Sequence, residues 1–204
     1  MKSRIIAPVV AILWTLAILP PQLLDWSGRS GTPSWVLFLY DKLGYAGLLE
    51  RLEGVDTYVL FGAGVIPAAL LVWWSLHPAL REFGWSGKAL SWGWFALAPV
   101  ILVSYLATPE DSPIHVLWGA EAPWFLLLFA WAILAASIAP RGIGIPSWVR
   151  ISVGLTLVFG AVGTILATYY PHGTIMGIAV QAILLARWQP SASSPQGAQN
   201  PAQL

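Results

Sequence analysis

The sequence predicts an all-α, polytopic membrane protein: a bundle of six transmembrane helices with an extracytoplasmic interfacial helix between spans 1 and 2. Three observations carry that expectation. The chain is 57% hydrophobic and only 9% Asp, Glu, Lys and Arg over 204 residues, against about 25% charged residues in a typical soluble domain. Its mean hydropathy is +0.71. Apolar runs long enough to cross a bilayer, about 18 residues or more, recur along it with almost no charge. So few charges leave too little polar surface to cover a soluble globule.

The spans fall at about 5–24, 57–76, 89–107, 114–139, 151–170 and 173–188. The first follows Lys2 and Arg4, a signal-like start. It has no small-x-small cleavage site before Pro20 and Pro21, so it is expected to stay as an anchor, kinked or ended at the two prolines. Pro67 and Pro99 are expected to kink spans two and three. Between spans one and two, "PSWVLFLYDKLGYAGLLERL" is too polar to span. Leu39, Leu43, Ala46, Leu49 and Leu52 recur at helical spacing, which suits a helix lying in the interface with Trp and Tyr at headgroup depth. The terminal "QPSASSPQGAQNPAQL" has no aromatic or β-branched residue with which to form a core, and 189–204 is expected to be a disordered cytoplasmic tail.

Lys and Arg set the orientation. With six spans, one side holds Lys2, Arg4, Arg81, Lys88, Arg141, Arg150 and Arg187, against Arg29, Lys42 and Arg51 on the other. Both termini are therefore expected in the cytoplasm. The last two spans carry small residues in stripes: Gly160, Gly163 and Ala167, then Gly173 and Gly177, with Gln181 one turn on. Small residues permit close backbone approach between helices in lipid, and "YYPHG" between them predicts a tight antiparallel hairpin. Gln181 lies on the protein-facing stripe, where an interhelical hydrogen bond is the simpler role and a pocket contact the alternative.

The chain has no Cys, which removes disulfides and thiol chemistry. Its scattered basic residues point to no nucleic-acid partner. No lysine lies within a span, and no H-E-x-x-H, G-x-S-x-G or phosphate-binding loop occurs. His77 ends span two, where free carbonyls await it. The remaining chemistry sits in "TPEDSPIHVLWGAE", 108–121. Ser112 and Pro113 are suited to begin a helix, placing Glu110 and Asp111 at its positive end. Glu121 would then lie about 12 Å along that helix, where an ionised carboxylate requires a partner or a wet cavity.

His115, His172, Asp111, Glu121 and Gln181 are thus the candidate pocket residues. No cofactor is predicted. A zinc ion held by His115, His172 and a carboxylate such as Asp111 is the minor alternative; His115 and Glu121 would stand ~120° apart on a regular helix. The leading functional expectation is a small binding, transport or accessory component, with a polar pocket open to the extracytoplasmic side and the bilayer as its surroundings. Its ligand would be a small molecule or lipid. The alternatives are a membrane-embedded metal- or acid–base-dependent enzyme acting on a lipid or isoprenoid, and a structural subunit contacting a membrane protein partner.

Overall fold

A computed structural model describes residues 2–139 and 144–188. The expected tail at 189–204 and Arg141 lie outside the described residues. Those residues form helices and turns, with no strand among them. Four helical segments are long and apolar enough to cross a membrane: Arg4–Gly31, Thr57–Arg81, Gly84–Leu106 and His115–Ile138. A fifth arises if the pair Ser147–Gly154 and Thr156–Ala167, bent by 53°, is one crossing. The helix His172–Leu185 is apolar but shorter.

Helix α1 (Lys2–Gly31) does not end at Pro20 and Pro21 but continues through them. A proline leaves the carbonyl four residues earlier without its helical donor. For Pro21 that carbonyl belongs to Ala17, and the Tyr45 hydroxyl donates to it. Tyr45 is thus the substitute donor that lets the helix run on until Gly28, whose φ of 65° breaks it.

The polar stretch that follows is two helices, not one. Helix α2 (Ser34–Lys42) and helix α3 (Tyr45–Arg51) are separated by Gly44 at φ 71°, a conformation costly for any residue with a Cβ. Val36, Tyr40 and Tyr45 face inward. Asp56 then caps helix α4 (Thr57–Ala63), accepting from the Val59 amide at 2.9 Å. A turn at Gly64 and Val65 leads into helix α5 (Ile66–Arg81), so the break falls just ahead of Pro67. The Gly64 carbonyl accepts from Trp14 Nε1 at 2.6 Å.

Helix α6 (Gly84–Leu106) runs unbroken through Pro99. It begins five residues before the predicted span, because "GWSGK" folds into it and the turn from α5 is tight. A Cβ on Gly87 would stand 1.9 Å from the Leu80 carbonyl oxygen. His77 bonds across this hairpin, its Nδ1 2.7 Å from Ser91 Oγ, rather than serving its own helix end.

After α6 come turns and a single 3-10 turn, His115–Leu117, before helix α7 (Glu121–Ile138). Here the sequence expectation fails: Ser112 does not cap the long helix but receives the Ile114 amide at 3.3 Å within a local turn. Gly119 at φ 77° separates that turn from α7. Pro123 falls in the first turn of α7, where its missing N–H costs nothing.

Helices α8 (Ser147–Gly154) and α9 (Thr156–Ala167) meet at the bend, and helix α10 (His172–Leu185) returns against α9. The small-residue stripe is the contact. A Cβ on Gly163 would lie 2.1 Å from the Gly173 carbonyl oxygen, and one on Gly177 1.9 Å from that of Phe159. Gln181, on the same stripe, serves the bend: its Nε2 donates to the Ser152 carbonyl and, at 3.0 Å, to Thr156 Oγ1. Carbonyls freed at a bend in an apolar environment need such donors. Helix α10 also packs against α1 and α5, and Ile175, Ile178, Ala179 and Ala182 are fully buried.

Two stability predictions follow from this hairpin. Gly177→Ala should destabilise the protein in mild detergent by about 1–3 kcal/mol, the usual cost of overpacking. Gln181→Leu should cost about 1–3 kcal/mol by orphaning the Ser152 carbonyl. Thermal unfolding of the purified variants against wild type checks both.

Candidate functional site

Five parts of the chain converge at one end of the bundle: the end of α1, the start of α4, the end of α6, the loop into α7, and the 168–171 link between α9 and α10. Their meeting point is a hydroxyl network. Gln22 of α1 is fully buried, and its Nε2 donates to the Tyr169 hydroxyl at 2.8 Å. Tyr105 Oη of α6 lies 3.3 Å from Tyr169 Oη. Tyr169 in turn donates to the Tyr58 hydroxyl of α4 at 3.4 Å. One phenol therefore joins α1, α4 and α6 to the α9–α10 link. Room for Tyr105 comes from Gly62, where a Cβ would stand 2.0 Å from the ring.

Two adjoining cavities open beside this network. The inner one, about 270 Å³, is walled by Tyr58, Tyr105, Tyr169, Tyr170, Trp118 and Glu121, among others. The outer one, about 390 Å³, is lined by Asp25, Trp26, Tyr58, Thr108, Glu110, His115 and Trp118. Trp26, Tyr58 and Trp118 border both. The Trp26 and Tyr58 rings are stacked at 6.2 Å, and Thr57 Oγ1 donates to Asp25 Oδ2 at 3.1 Å.

Glu121 occupies the inner chamber. It is 7% exposed, and its Oε2 is buried with no hydrogen-bond partner. It stands at the first residue of α7, not two turns along a helix begun at Pro113. Its position is set by the preceding loop, where the Gly119 amide donates to Ser104 Oγ at 2.9 Å. The Tyr170 hydroxyl, on the same chamber, and Thr108 Oγ1, on the outer one, are likewise buried without partners. Such groups are rare in folded proteins because each forfeits the hydrogen bond that water would have supplied.

The other sequence-predicted residues scatter. His115 lines the outer chamber, its ring stacked on Trp118 and its Nδ1 3.0 Å from the Ala107 carbonyl oxygen, to which it donates. His172 is fully buried, with Nε2 3.3 Å from the Phe61 carbonyl oxygen and its ring against Tyr169. Asp111 is exposed and lines neither cavity, whereas its neighbour Glu110 does. Gln181 is bonded at the α8–α9 bend and also lines neither. Among the described residues no three His, Asp or Glu stand close enough to hold a metal ion; His115, His172 and Asp111 do not form a ligand set.

Sequence reasoning passed over Gln22, Asp25, Trp26, Tyr58, Tyr105 and Tyr169. Gln22 offered a signal, an amide in an apolar run, but the prolines before it pointed to the end of the helix. No family model, curated protein or solved structure matches the chain, so the site rests on its geometry.

Removal of the central phenol should be felt by every arm of the network. Tyr169→Phe is expected to lower stability by about 1–3 kcal/mol, since buried Gln22 loses its acceptor. Tyr58→Phe, at the far end of the longest bond, should cost less. Paired thermal melts of the two variants test that order.

Proposed function

We propose that this chain is a small integral membrane protein for binding or transport, with a ligand pocket open to the extracytoplasmic side and floored by Glu121. In this reading the chain crosses the membrane six times, by α1, α4–α5, α6, α7, α8–α9 and α10, with both termini in the cytoplasm. Helices α2 and α3 lie over the outer mouth at the membrane interface. Helix α10, at 14 residues, spans about 21 Å, short of the ~30 Å hydrocarbon core. Its burial among α1, α5 and α9 supports its counting as a crossing, because protein rather than lipid surrounds most of it. The asymmetry of Lys and Arg supports the orientation.

The observation that carries the functional reading is the Glu121 carboxylate oxygen, buried and unpartnered on a cavity wall. A carboxylate in that setting costs stability, and proteins hold such groups where a ligand uses them. A purely structural Glu would be expected to have its hydrogen bonds made.

Stability distinguishes those roles. Glu121→Gln should leave the fold intact and raise the thermal stability of the ligand-free protein, by about 0.5–2 kcal/mol; a lowered melting temperature would assign Glu121 a structural role. For the topology, a tag fused after Leu204 should be reached by protease or antibody only when the cytoplasmic face is opened.

A further inference from the structure

We infer that the pocket takes a protonated organic amine: an alkylammonium ion whose N–H donates to Glu121 while its carbon framework rests on the Trp26, Tyr58 and Trp118 rings. The inference rests on the proposed outward-facing pocket and adds the chemical class of its ligand.

Charge gives the sign. Asp25 and Glu110 line the outer chamber and Glu121 the inner one, and among the described residues no Lys or Arg lines either. The imidazole of His115 has committed its Nδ1–H to the Ala107 carbonyl. An anion entering here would meet three carboxylates, and like-charge contact in a partly desolvated site is strongly unfavourable. The unpartnered Glu121 Oε2 has the converse need, which a cation meets.

The walls give the class. Aromatic faces attract organic cations, ammonium groups among them, through the ring quadrupole. A bare metal ion requires several converging oxygen or nitrogen donors, and among the described residues no three His, Asp or Glu converge to hold one. Trp26 and Trp118 are 55% and 47% exposed, so their indoles are accessible at the entrance. Within, the buried Glu121 Oε2 is an acceptor without a donor. An ammonium N–H supplies a donor, which a quaternary ammonium lacks. A primary or secondary amine is therefore favoured over its fully methylated counterpart.

Because the chain contains no Cys, Ala122→Cys places a single thiol on the wall of the inner chamber. In intact cells, a membrane-impermeant maleimide should label it from outside. Butylammonium should then slow labelling in a saturable manner, tetramethylammonium less so, and butanol, butyrate and calcium chloride not at all. Adding Glu121→Gln should weaken butylammonium protection at least ~10-fold, and adding Trp26→Leu by roughly 2- to 30-fold, the range of cation–π contributions. Absence of labelling would overturn the outward-facing pocket itself. Labelling with equal protection by butanol, with protection by calcium alone, or with protection indifferent to Glu121→Gln would overturn the amine and leave the pocket standing.

Discussion

The contact between α9 and α10 is the constraint on which the rest depends. Gly163 and Gly177 let two backbones approach to a distance that no side chain would allow, and in an apolar surrounding such close packing stands in for the missing hydrophobic drive. With the helices that close, the link between them is only a few residues. Tyr169, Tyr170 and His172 therefore have little freedom in where they stand. The phenol of Tyr169 meets Gln22 and Tyr105 because the glycines have already fixed its approach. Helix α10, drawn against α9 on one side, is free to fill the space between α1 and α5 on the other.

The site inherits its character from an irregular stretch rather than from a helix. Between α6 and α7 the chain spends residues 107–120 on turns and a 3-10 turn, tied back to α6 by the Gly119–Ser104 bond and closed on itself by His115 on Ala107. This brings Trp118 and Glu121 alongside Tyr58 and Trp26. Irregular backbone at that level is tolerable where it borders a cavity and its amides are bonded. The result is an asymmetric chamber: hydroxyls held in a network on one wall, indoles on another, and a carboxylate whose second oxygen has nothing to bind.

What was legible in the sequence follows the same physics. The apolar runs marked four or five helices apolar enough to cross a membrane, because hydrocarbon excludes charge, and the glycine stripe marked the α9–α10 contact because only small residues serve there. Gln181 was correctly placed against protein for that reason. Glu121 stood out as a carboxylate among aromatics. Its surroundings did not, because the depth assigned to it assumed one helix from Pro113, and the positive φ of Gly119 is a property of backbone that composition does not reveal. Tyr58, Tyr105 and Trp26 resembled ordinary interfacial aromatics; only the fold shows that they meet. Pro20 and Pro21 misled for a related reason. A proline ends a helix unless another residue supplies the lost donor, and Tyr45 does so from a segment that is distant in sequence.

That repair bears on the order in which the chain is assembled. Helix α1 precedes α3 in the chain and carries an open carbonyl at Ala17 within an apolar segment. Its donor, Tyr45, is made 28 residues later and arrives only when α3 has folded back over the bundle. Until then α1 lacks one of its backbone bonds. The segment proposed to cover the pocket mouth is therefore also a fastening of helix α1.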